Sequence, residues 1–414
     1  MKVGIIGSGV IGLCSAWYLS QKGHQVVIFE KGDGSDGCSF GNMGYLSPSH
    51  FIPLASPGIV TQGLKFMLNP VSPFYIKPRL DADLIKWAYH FWRSATSAKV
   101  AQHAPALNEL LRFSREKTIE MASELGNNFD LTLKGCYMMY RKPETEKHEI
   151  HLAGQAKSLG IDTEILDANE LQKREPNLGI TSLGAVFYPI DAHLHPGKWV
   201  HSLRKSLTDK GVEFKFNTQI TNFETNGRSI LSVRDQNGGQ YPVDQVVVAA
   251  GSWLPEVVQK MGHKMLLQPG KGYSTTFTSL SHNLSRPAIL VDDRVALTPF
   301  GTDLRVGGTM ELSGINHNIY VPRVQAIINV VKKNFTTFDF VLPPKEQLWC
   351  GLRPVSPDGL PYLGKSQKYD NVTLAGGHAM LGVSMAAGTG SVVADLVENG
   401  KTALKIDKFR VDRY

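Results

Sequence analysis

The sequence predicts an α/β fold in which one domain is built on a parallel sheet and a second domain on a large, mainly antiparallel sheet. A short apolar strand opens the chain and leads through a glycine-rich turn into a helix and a second strand, which is the alternation typical of parallel α/β structure. Between residues 270 and 320 the predicted strands follow one another without intervening helices, separated by Asn-rich and Pro-rich turns. The two patterns indicate two domains of different architecture.

Composition limits the classes of protein that the chain can represent. With 42% hydrophobic and 20% charged residues among 414, the chain can bury the core of two or three domains, so a disordered or fibrous protein is excluded. The net charge of +7 is spread without a clustered Lys/Arg run, so we expect no nucleic-acid partner. The four cysteines show no C-x-x-C spacing and the N-terminus shows no secretory signal pattern, which together predict a cytoplasmic protein.

The strongest motif is the glycine-rich turn near the N-terminus. The strand Val3–Ile6 ends in the G-x-G-x-x-G of Gly7, Gly9 and Gly12, and the second strand ends at Glu30. The first glycine permits the tight turn, the second lets a pyrophosphate approach the backbone, and the third allows helix and strand to pack closely. The N–H groups at the helix start attract phosphates, and Glu30 would accept hydrogen bonds from ribose hydroxyls. This arrangement predicts a Rossmann-type dinucleotide-binding domain and disfavours a ribose 2′-phosphate.

Three further segments bear on which dinucleotide is bound. The small, polar segment 39–44 could direct hydroxyl, amide and backbone donors toward a pyrophosphate and a ring system, although a surface turn has the same composition. A buried strand ends at Gly251, where a second turn could contact the far end of the same dinucleotide. The strand 372–375 enters the glycine-rich segment 376–390, whose helix start could stabilise negative charge on a reduced flavin. The first motif by itself leaves FAD and NAD open.

Taken together, these motifs resemble the FAD-dependent amino-acid and amine oxidoreductase family that includes D-amino acid oxidase, glycine oxidase and sarcosine oxidase. Within that family the chain is most similar to the bacterial D-amino acid dehydrogenases of the small-subunit type. The resemblance extends over nearly the whole chain. The segments that carry it are Val3–Gly12 with Glu30, Ser39–Gly44 with Ser47-Pro48, Gly272-Tyr273-Ser274, Gly351–Gly359 and Gly377–Gly382.

The resemblance implies a discontinuous FAD-binding domain and a substrate-binding α+β domain whose large sheet covers the flavin. The FAD-binding domain is predicted to comprise residues 1–60, 150–256 and 350–414, and the substrate-binding domain residues 61–149 and 257–349. The implied chemistry is hydride transfer from the substrate Cα to flavin N5, after which the imino acid hydrolyses in water. The amine must be neutral to release hydride, but no residue is required as an obligate base.

The resemblance also implies roles for individual residues. Arg353 would form a bidentate clamp on the substrate carboxylate, and the alternative is a structural Arg that satisfies turn carbonyls. Tyr273 would add a hydroxyl to the same carboxylate, unless it is a structural strand residue. His50 and His378 are candidates for the pocket, and the alternative for His50 is a position on the surface. The residues expected to contact FAD are Gly7, Gly9, Val10, Ile11, Gly12, Glu30, Lys31, Ser39, Asn42, Met43, Gly44, Gly251, Gly377, His378, Leu381 and Gly382.

Departures from the family pattern concern the cofactor and the substrate. Covalent-flavin relatives use a Cys near the Arg-containing strand, but Cys350 is one residue out of register, so we predict non-covalent FAD. The dehydrogenase pattern Ala-Asn-Ala-Gly is replaced by Gly41–Gly44, in which Met43 adds bulk beside the expected ring position. No metal is expected, because the pair His193 and His195 lacks a nearby third ligand.

The most apolar irregular segment, residues 51–92, contains several prolines and the aromatic stripe Trp87–Trp92. One interpretation is a long packed loop that leads into a core helix, and the alternatives are a cover over the substrate site or a contact with a membrane surface. Helices are predicted over Asp81–Ser97 and from Ala106 to Leu125.

These observations lead to a functional hypothesis. The chain is expected to catalyse oxidative deamination of a free amino acid, a D-amino acid such as D-proline or D-hydroxyproline, and to pass electrons to a quinone or another acceptor. Peripheral contact with the inner face of the cytoplasmic membrane is compatible with this role. The alternatives are a glycine- or sarcosine-like amine oxidase that uses oxygen, a tRNA-modifying flavoenzyme, and a non-catalytic flavin-binding module.

Overall fold

The computed structural model of the chain describes residues 1–35, 37–67, 69 and 71–414, so Leu68 and Pro70 of the apolar segment 51–92 lie outside the described residues. The strands are β1 (Lys2–Ile6), β2 (Gln25–Phe29), β3 (Tyr45–Leu46), β4 (Phe74–Ile76), β5 (Cys136–Tyr140), β6 (Glu164–Asp167), β7 (Gly184–Tyr188), β8 (Ala192–His193), β9 (Glu213–Lys215), β10 (Ile220–Asn226), β11 (Ser229–Asp235), β12 (Gln240–Pro242), β13 (Gln245–Val248), β14 (Gln268–Phe277), β15 (Ala288–Leu290), β16 (Val295–Phe300), β17 (Asp303–Leu312), β18 (Trp349–Val355), β19 (Tyr362–Lys365) and β20 (Val372–Gly376). The helices are α1 (Val10–Gln21), α2 (Ile59–Met67), α3 (Ala82–Ser94), α4 (Ser97–Glu124), α5 (Pro143–Ser158), α6 (Ala168–Arg174), α7 (Pro196–Asp209), α8 (Leu254–Lys260), α9 (Val321–Asn334) and α10 (Gly382–Asn399).

The first of the two large sheets has six strands in the order β19-β20-β13-β1-β2-β9. Five of its strands are parallel, and β19 pairs antiparallel with β20 at the edge. One face packs on α1, α4, α7 and α10, and the other face packs on α8 and the three-stranded sheet β10-β11-β12. Because both faces are covered, the strands are continuous apolar runs, which is the pattern that the sequence shows at residues 3–6 and 245–248.

A nine-stranded sheet in the order β18-β14-β17-β16-β15-β5-β7-β6, with β4 paired to β17, forms the second structure. Adjacent strands in this sheet are antiparallel, except that β15 is parallel to β5 and β17 is parallel to β4. Its outer face packs on α9, with Tyr137, Tyr273, Ile328 and Phe335 buried between them. The predicted fold class is therefore confirmed: a Rossmann-type parallel sheet and a large, mainly antiparallel sheet occur in one chain.

The strands depart from the predicted domain ranges at two places. β6 and β7, which fall within the predicted FAD-binding range 150–256, belong to the nine-stranded sheet, because β7 pairs with β5 from Cys136↔Tyr188 to Tyr140↔Gly184. β18, nearly all of which falls within the range 350–414, also belongs to that sheet through its pairing with β14. The chain therefore passes between the two sheets as many times as the predicted ranges imply, but two of the crossings lie later in the chain, after β7 and after β18.

The helix α4 begins earlier than the sequence suggests. α4 begins at Ser97 rather than at Ala106, because the Thr96 side chain accepts the Lys99 N–H and caps the helix nine residues earlier, so Pro105 lies inside it. The helical stretch Ala379–Asn399 is long and apolar enough to cross a membrane, but 72% of its most apolar window is buried inside the protein. Its small residues pack against α1 and α4, as expected for a core helix.

Candidate active site

The carboxyl ends of β1, β2, β13 and β20 meet at one edge of the six-stranded sheet, and the predicted glycine-rich turns lie there. Gly7 has φ +109°, and a Cβ added to it would overlap the Ala249 carbonyl. A Cβ added to Gly12 would overlap the Gly7 carbonyl, whereas one added to Gly9 would meet only the Ser39 Oγ at 3.8 Å. The turn is therefore closed at its base and open above Gly9, as a phosphate-binding turn must be.

Glu30 turns back from the end of β2 onto this glycine-rich turn. Its Oε2 accepts hydrogen bonds from the N–H and the hydroxyl of Ser8, both at 2.9 Å, and its Oε1 accepts the Gly32 N–H at 3.1 Å. Arg204 of α7 also donates to the Ser8 hydroxyl, at 3.2 Å, and lowers the local negative charge. Arg204 was not found from the sequence, because it lies in a separate helix that no motif marks.

Lys31 and Gly251 bring the second turn next to the first. Gly251 has φ +55° and begins a short 3-10 turn that carries Trp253. The Lys31 ammonium lies 3.3 Å from the centroid of the Trp253 ring, a cation–π distance. The structure thus brings together the ends of β2 and β13, which the sequence analysis assigned to one dinucleotide.

The segment 39–44 connects the glycine-rich turn to the nine-stranded sheet. The Ser39 hydroxyl accepts the Val10 N–H at 3.1 Å, and the Asn42 side chain accepts the Gly44 N–H at 2.8 Å. From the sheet, Arg305 donates to the Asn42 carbonyl at 2.7 Å, and the Met43 side chain packs against Gly307. The segment is therefore fixed at both ends between the two sheets and is not a free surface turn.

Arg353 lies on the face of β18 that looks toward this segment. A Cβ added to Gly272 of the neighbouring strand would overlap the Arg353 guanidinium, so the guanidinium lies directly over Gly272. Its Nη1 donates to the Thr309 carbonyl at 2.6 Å. Within the described part of the chain Arg353 has no carboxylate in ion-pair distance, and burial lowers its pKa. A half-buried cation without an acidic partner can bind an incoming carboxylate.

Trp349 was not singled out from the sequence, although it precedes Arg353 by four residues on the same strand. Alternate residues of a strand share a face, so Trp349, Gly351 and Arg353 project to the same side. A Cβ added to either Gly41 or Gly351 would overlap the Trp349 ring. The indole therefore fills the space between the sheet and the segment 39–44.

The structure does not bring Tyr273 together with Arg353. Tyr273 follows Gly272 in β14, so its side chain projects to the opposite face of the sheet. There its hydroxyl donates to Glu311 at 2.5 Å, and Glu311 also pairs with Lys271 and Arg323. Tyr273 is fully buried in the core beneath α9, so the structural alternative of the sequence analysis describes its position and we correct the expectation of a carboxylate contact.

Cys350 lies on the same outer face as Tyr273, with which it pairs. Its Sγ donates to the His317 carbonyl at 3.3 Å, and burial raises the pKa of this thiol. The thiol is thus directed away from the face that carries Arg353.

The third turn places His378 beside the strand of Arg353. His378 forms an isolated bridge with Val355, and Gly377 before it has φ +73°. The ring is buried, with Nε2 3.0 Å from the Thr389 hydroxyl and Nδ1 without a hydrogen-bond partner among the described residues. Burial lowers its pKa to about 3, so the ring is neutral. Leu381 and Gly382 continue the turn into α10, where Leu381 packs on the core.

His50 follows the segment 39–44 and is held by its neighbour. Its Nδ1 lies 3.1 Å from the Ser49 hydroxyl, and that hydroxyl lies 2.5 Å from Oδ2 of Asp191. Burial lowers the pKa of His50 to about 4 and raises that of Asp191 to about 7. Asp191 was missed from the sequence because only the pairing of β3 with β8 brings it to Ser49.

These residues fit a flavin dinucleotide. The open space over Gly9 and the helix start at Ile11 and Gly12 suit a pyrophosphate. The Glu30 carboxylate suits a ribose, and the unpartnered Nδ1 of His378 leaves a buried polar atom for a ring system. Residues that would hold FAD thus come from the carboxyl edge of the parallel sheet and from the segment 39–44.

Fold and site together define a dinucleotide-dependent oxidoreductase whose second sheet carries a half-buried arginine, Arg353, without an acidic partner among the described residues. The sequence model of the DAO family, which is described as FAD dependent oxidoreductase, matches residues 2–396 of the chain. The chain therefore belongs to this family. It is an enzyme that uses FAD.

Curated relatives and solved structures cover the whole chain. A D-amino acid dehydrogenase of Granulibacter bethesdensis is 31% identical over 420 residues, and one of Rhizorhabdus wittichii is 31% identical over 426 residues, with 100% of each chain covered in both cases. Glycine oxidase from Geobacillus kaustophilus has a similar structure, with TM-score 0.81, 21% identity and coverage of 100% and 99% of the two chains. L-Proline dehydrogenase from P. horikoshii has TM-score 0.76 at 17% identity, with coverage of 100% and 97%. The two structural similarities establish the fold alone.

Proposed function

We propose that the chain catalyses oxidative deamination of a free D-amino acid, with D-proline and D-hydroxyproline as candidate substrates. The names of the full-length relatives at 31% identity support this choice of substrate class. FAD, when bound, supplies the acceptor for a hydride from the substrate Cα. The chain's own residues bind the carboxylate, orient the amine and exclude water.

The observation that carries the proposal is the position of Arg353. Its Nη1 is engaged by the Thr309 carbonyl, which fixes the plane of the guanidinium while leaving further N–H groups for a ligand. A carboxylate is the anion that matches this planar fork, and every free amino acid carries one. An amine without a carboxylate would leave this half-buried cation unpaired.

The experiment compares D-proline with pyrrolidine, which has the same ring and amine but no carboxylate. For the native holoenzyme we expect anaerobic flavin reduction by D-proline and little by pyrrolidine. Arg353→Leu should raise KM for D-proline roughly 100-fold, because it removes two charge-assisted hydrogen bonds, while its rate with pyrrolidine and its FAD content stay unchanged. Arg353→Lys should recover only part of the loss, because Lys lacks the planar fork. An unchanged KM in Arg353→Leu would remove the carboxylate role.

Non-covalent attachment of FAD is part of the proposal. The Cys350 thiol lies on the outer face of the nine-stranded sheet, with its Sγ on the His317 carbonyl, and the Arg353 face carries Trp349 in its place. A thiol on the outer face is poorly placed for a bond to a flavin that the inner face covers.

A quinone acceptor at a membrane surface is the other part of the proposal. α3 is apolar on two sides: Leu84, Trp87 and Phe91 are buried, whereas the stripe of Ile85, Tyr89 and Trp92 is exposed by 51–62%. Lys86 and Arg93 are exposed beside that stripe. Aromatic and basic residues on one exposed helix face are typical of contact with anionic lipid, where quinones are also found.

A further inference from the structure

We propose that Asp191, Ser49 and His50 form a proton relay in which His50 removes the proton that the substrate ammonium must lose before hydride transfer. His50 would be the catalytic residue, and Ser49 and Asp191 positioning residues that act through it. The inference rests on the proposed function, because it concerns the amine of that substrate.

The geometry of the three side chains is that of a continuous hydrogen-bonded chain. The Ser49 hydroxyl lies 2.5 Å from Oδ2 of Asp191 and 3.1 Å from Nδ1 of His50. The Ser49 N–H also donates to Oδ1 of Asp191, at 3.1 Å, so one residue satisfies both carboxylate oxygens. Asp191 is fully buried and, in the described ranges, forms no ion pair. A carboxylate buried in this way is costly to keep charged and is therefore disposed to accept a proton.

The relay lies on the inner face of the nine-stranded sheet. The residue after His50, Phe51, belongs to the same buried apolar cluster as Met138, which projects to the face opposite the core of Tyr273. That inner face is the one that carries Arg353. The His50 side chain is partly exposed, and its Nε2 has no hydrogen-bond partner among the residues that the structure describes. One ring nitrogen is thus engaged by the relay and the other is available to a ligand.

The hydrogen bonds fix the tautomer of His50. With Asp191 ionised, the single Ser49 hydroxyl proton is donated to the carboxylate, so the Ser49 oxygen must accept from Nδ1–H of His50. The free Nε2 then carries a lone pair, which is the form that accepts a proton.

The proposed step balances without a charged imidazole at its end. The substrate N–H bond breaks and an Nε2–H bond forms, while the Nδ1 proton moves to Ser49 and the Ser49 proton moves to Asp191. The amine leaves the step neutral, His50 is neutral in its other tautomer, and Asp191 is a carboxylic acid. After product release the proton returns by the reverse route through His50 to water.

The charges around the relay agree with this direction of transfer. Burial raises the pKa of Asp191 to about 7, although the hydrogen bonds from Ser49 and the charge of Arg115 on α4 oppose the rise. Burial lowers the pKa of His50 to about 4, so an imidazolium is disfavoured and the proton is passed on. The other titratable groups that sense the Asp191 charge are Tyr45, Cys136 and Tyr188.

The test measures the rate of anaerobic flavin reduction by D-proline between pH 5.5 and about 10. Ionised Asp191 is the proton acceptor, so the native rate should rise with pH through about 7. Asp191→Asn, Ser49→Ala and His50→Gln should each lose that rise and be roughly 10- to 100-fold slower at pH 7. The three variants should approach the native rate at high pH, where solvent deprotonates the ammonium. Ser49→Thr keeps the hydroxyl and should retain the native profile.

Asp292→Asn is the matched control. Asp292 also accepts one backbone N–H, from Arg141, and one hydroxyl, from Thr145, but lies outside the relay. Its variant should keep the native pH profile. A pH-independent loss in Asp191→Asn, or a native rate in His50→Gln at pH 7, would overturn the relay.

A second measurement does not depend on turnover. In the holoenzyme with ¹⁵N-labelled histidine, His50 should be neutral and protonated at Nδ1 at pH 8, and Asp191→Asn should change that tautomer. A His50 ring protonated at Nε2 in the native enzyme at pH 8 would contradict the proposal. If no D-amino acid reduces the flavin of the native enzyme, the proposed function is wrong. If the native enzyme is reduced and the variants behave as it does, only the relay is wrong.

Discussion

The guanidinium of Arg353 lies over Gly272, so its orientation depends on a neighbour that has no side chain. Thr309, whose carbonyl holds Arg353 Nη1, has φ +68° in β17. The register of β14 with β17 shifts at this place, since Lys271 pairs with Glu311 but Tyr273 pairs with Gly308. This bulge turns the Thr309 carbonyl out of the ladder and toward Arg353. Strain at one non-glycine residue thus serves to position the cation.

Gly272→Ala tests this arrangement at the scale of one methyl group. The added Cβ would displace the guanidinium, so we expect KM for a D-amino acid to rise about tenfold or more, while the FAD content and the melting temperature change little. Gly364→Ala in β19, whose Cβ would make only an ordinary 3.8 Å contact with Val411, is the control and should keep the native KM. A native KM in Gly272→Ala would show that Arg353 does not bind the substrate carboxylate in this position.

At the scale of the elements, sequence patterns predicted the parts of the fold that are set locally. The turn Gly7–Gly12 and the strands beside it could be predicted because each glycine has a steric reason within a few residues. The start of α4 could not be predicted in this way. Pro105 suggests that a helix begins after it, and no apolar periodicity follows the capping residue Thr96 to mark the true start. The orientation of Tyr273 was also not predicted, because the side of the sheet to which a side chain projects depends on the register of its strand.

The exposed face of α3 gives a prediction at this scale. Native protein should sediment with vesicles that contain anionic phospholipid, and Tyr89→Glu with Trp92→Glu should weaken this binding about tenfold or more, because burial of either ring contributes about 1.5–3 kcal/mol. Reduction of the flavin by a dissolved D-amino acid should be unaffected. Val341→Glu, which changes an apolar side chain that is 77% exposed elsewhere, should bind vesicles as the native protein does. Equal binding by all three proteins would contradict a role for α3.

At the scale of the whole molecule, the site forms where two sheets from interleaved segments meet. The segment 39–44 is bonded to the helix start at Val10 on one side and to Arg305 on the other. Ser49 and Asp191 lie 142 positions apart in the chain, so no local pattern could join them. The sequence therefore indicated the glycine-rich turns and Arg353, but not the side chains whose meeting depends on how the sheets assemble.

The charge of the whole chain agrees with this arrangement. The net charge of +7 occurs without a basic cluster in the sequence. The half-buried Arg353 and the exposed Lys86 and Arg93 show two places where positive charge is left for other partners. An anionic cofactor, carboxylate substrates and an anionic surface would all be attracted by such a distribution.

The central claim is that bound FAD takes electrons from the D-enantiomer of a free amino acid. It is tested most directly by mixing the native holoenzyme anaerobically with matched D- and L-enantiomers, proline and alanine first, while the flavin absorbance is followed. We predict that the D-enantiomers bleach the flavin within turnover time and that the L-enantiomers do not. Bleaching by L-amino acids or by sarcosine, with none by any D-amino acid, would contradict the claim.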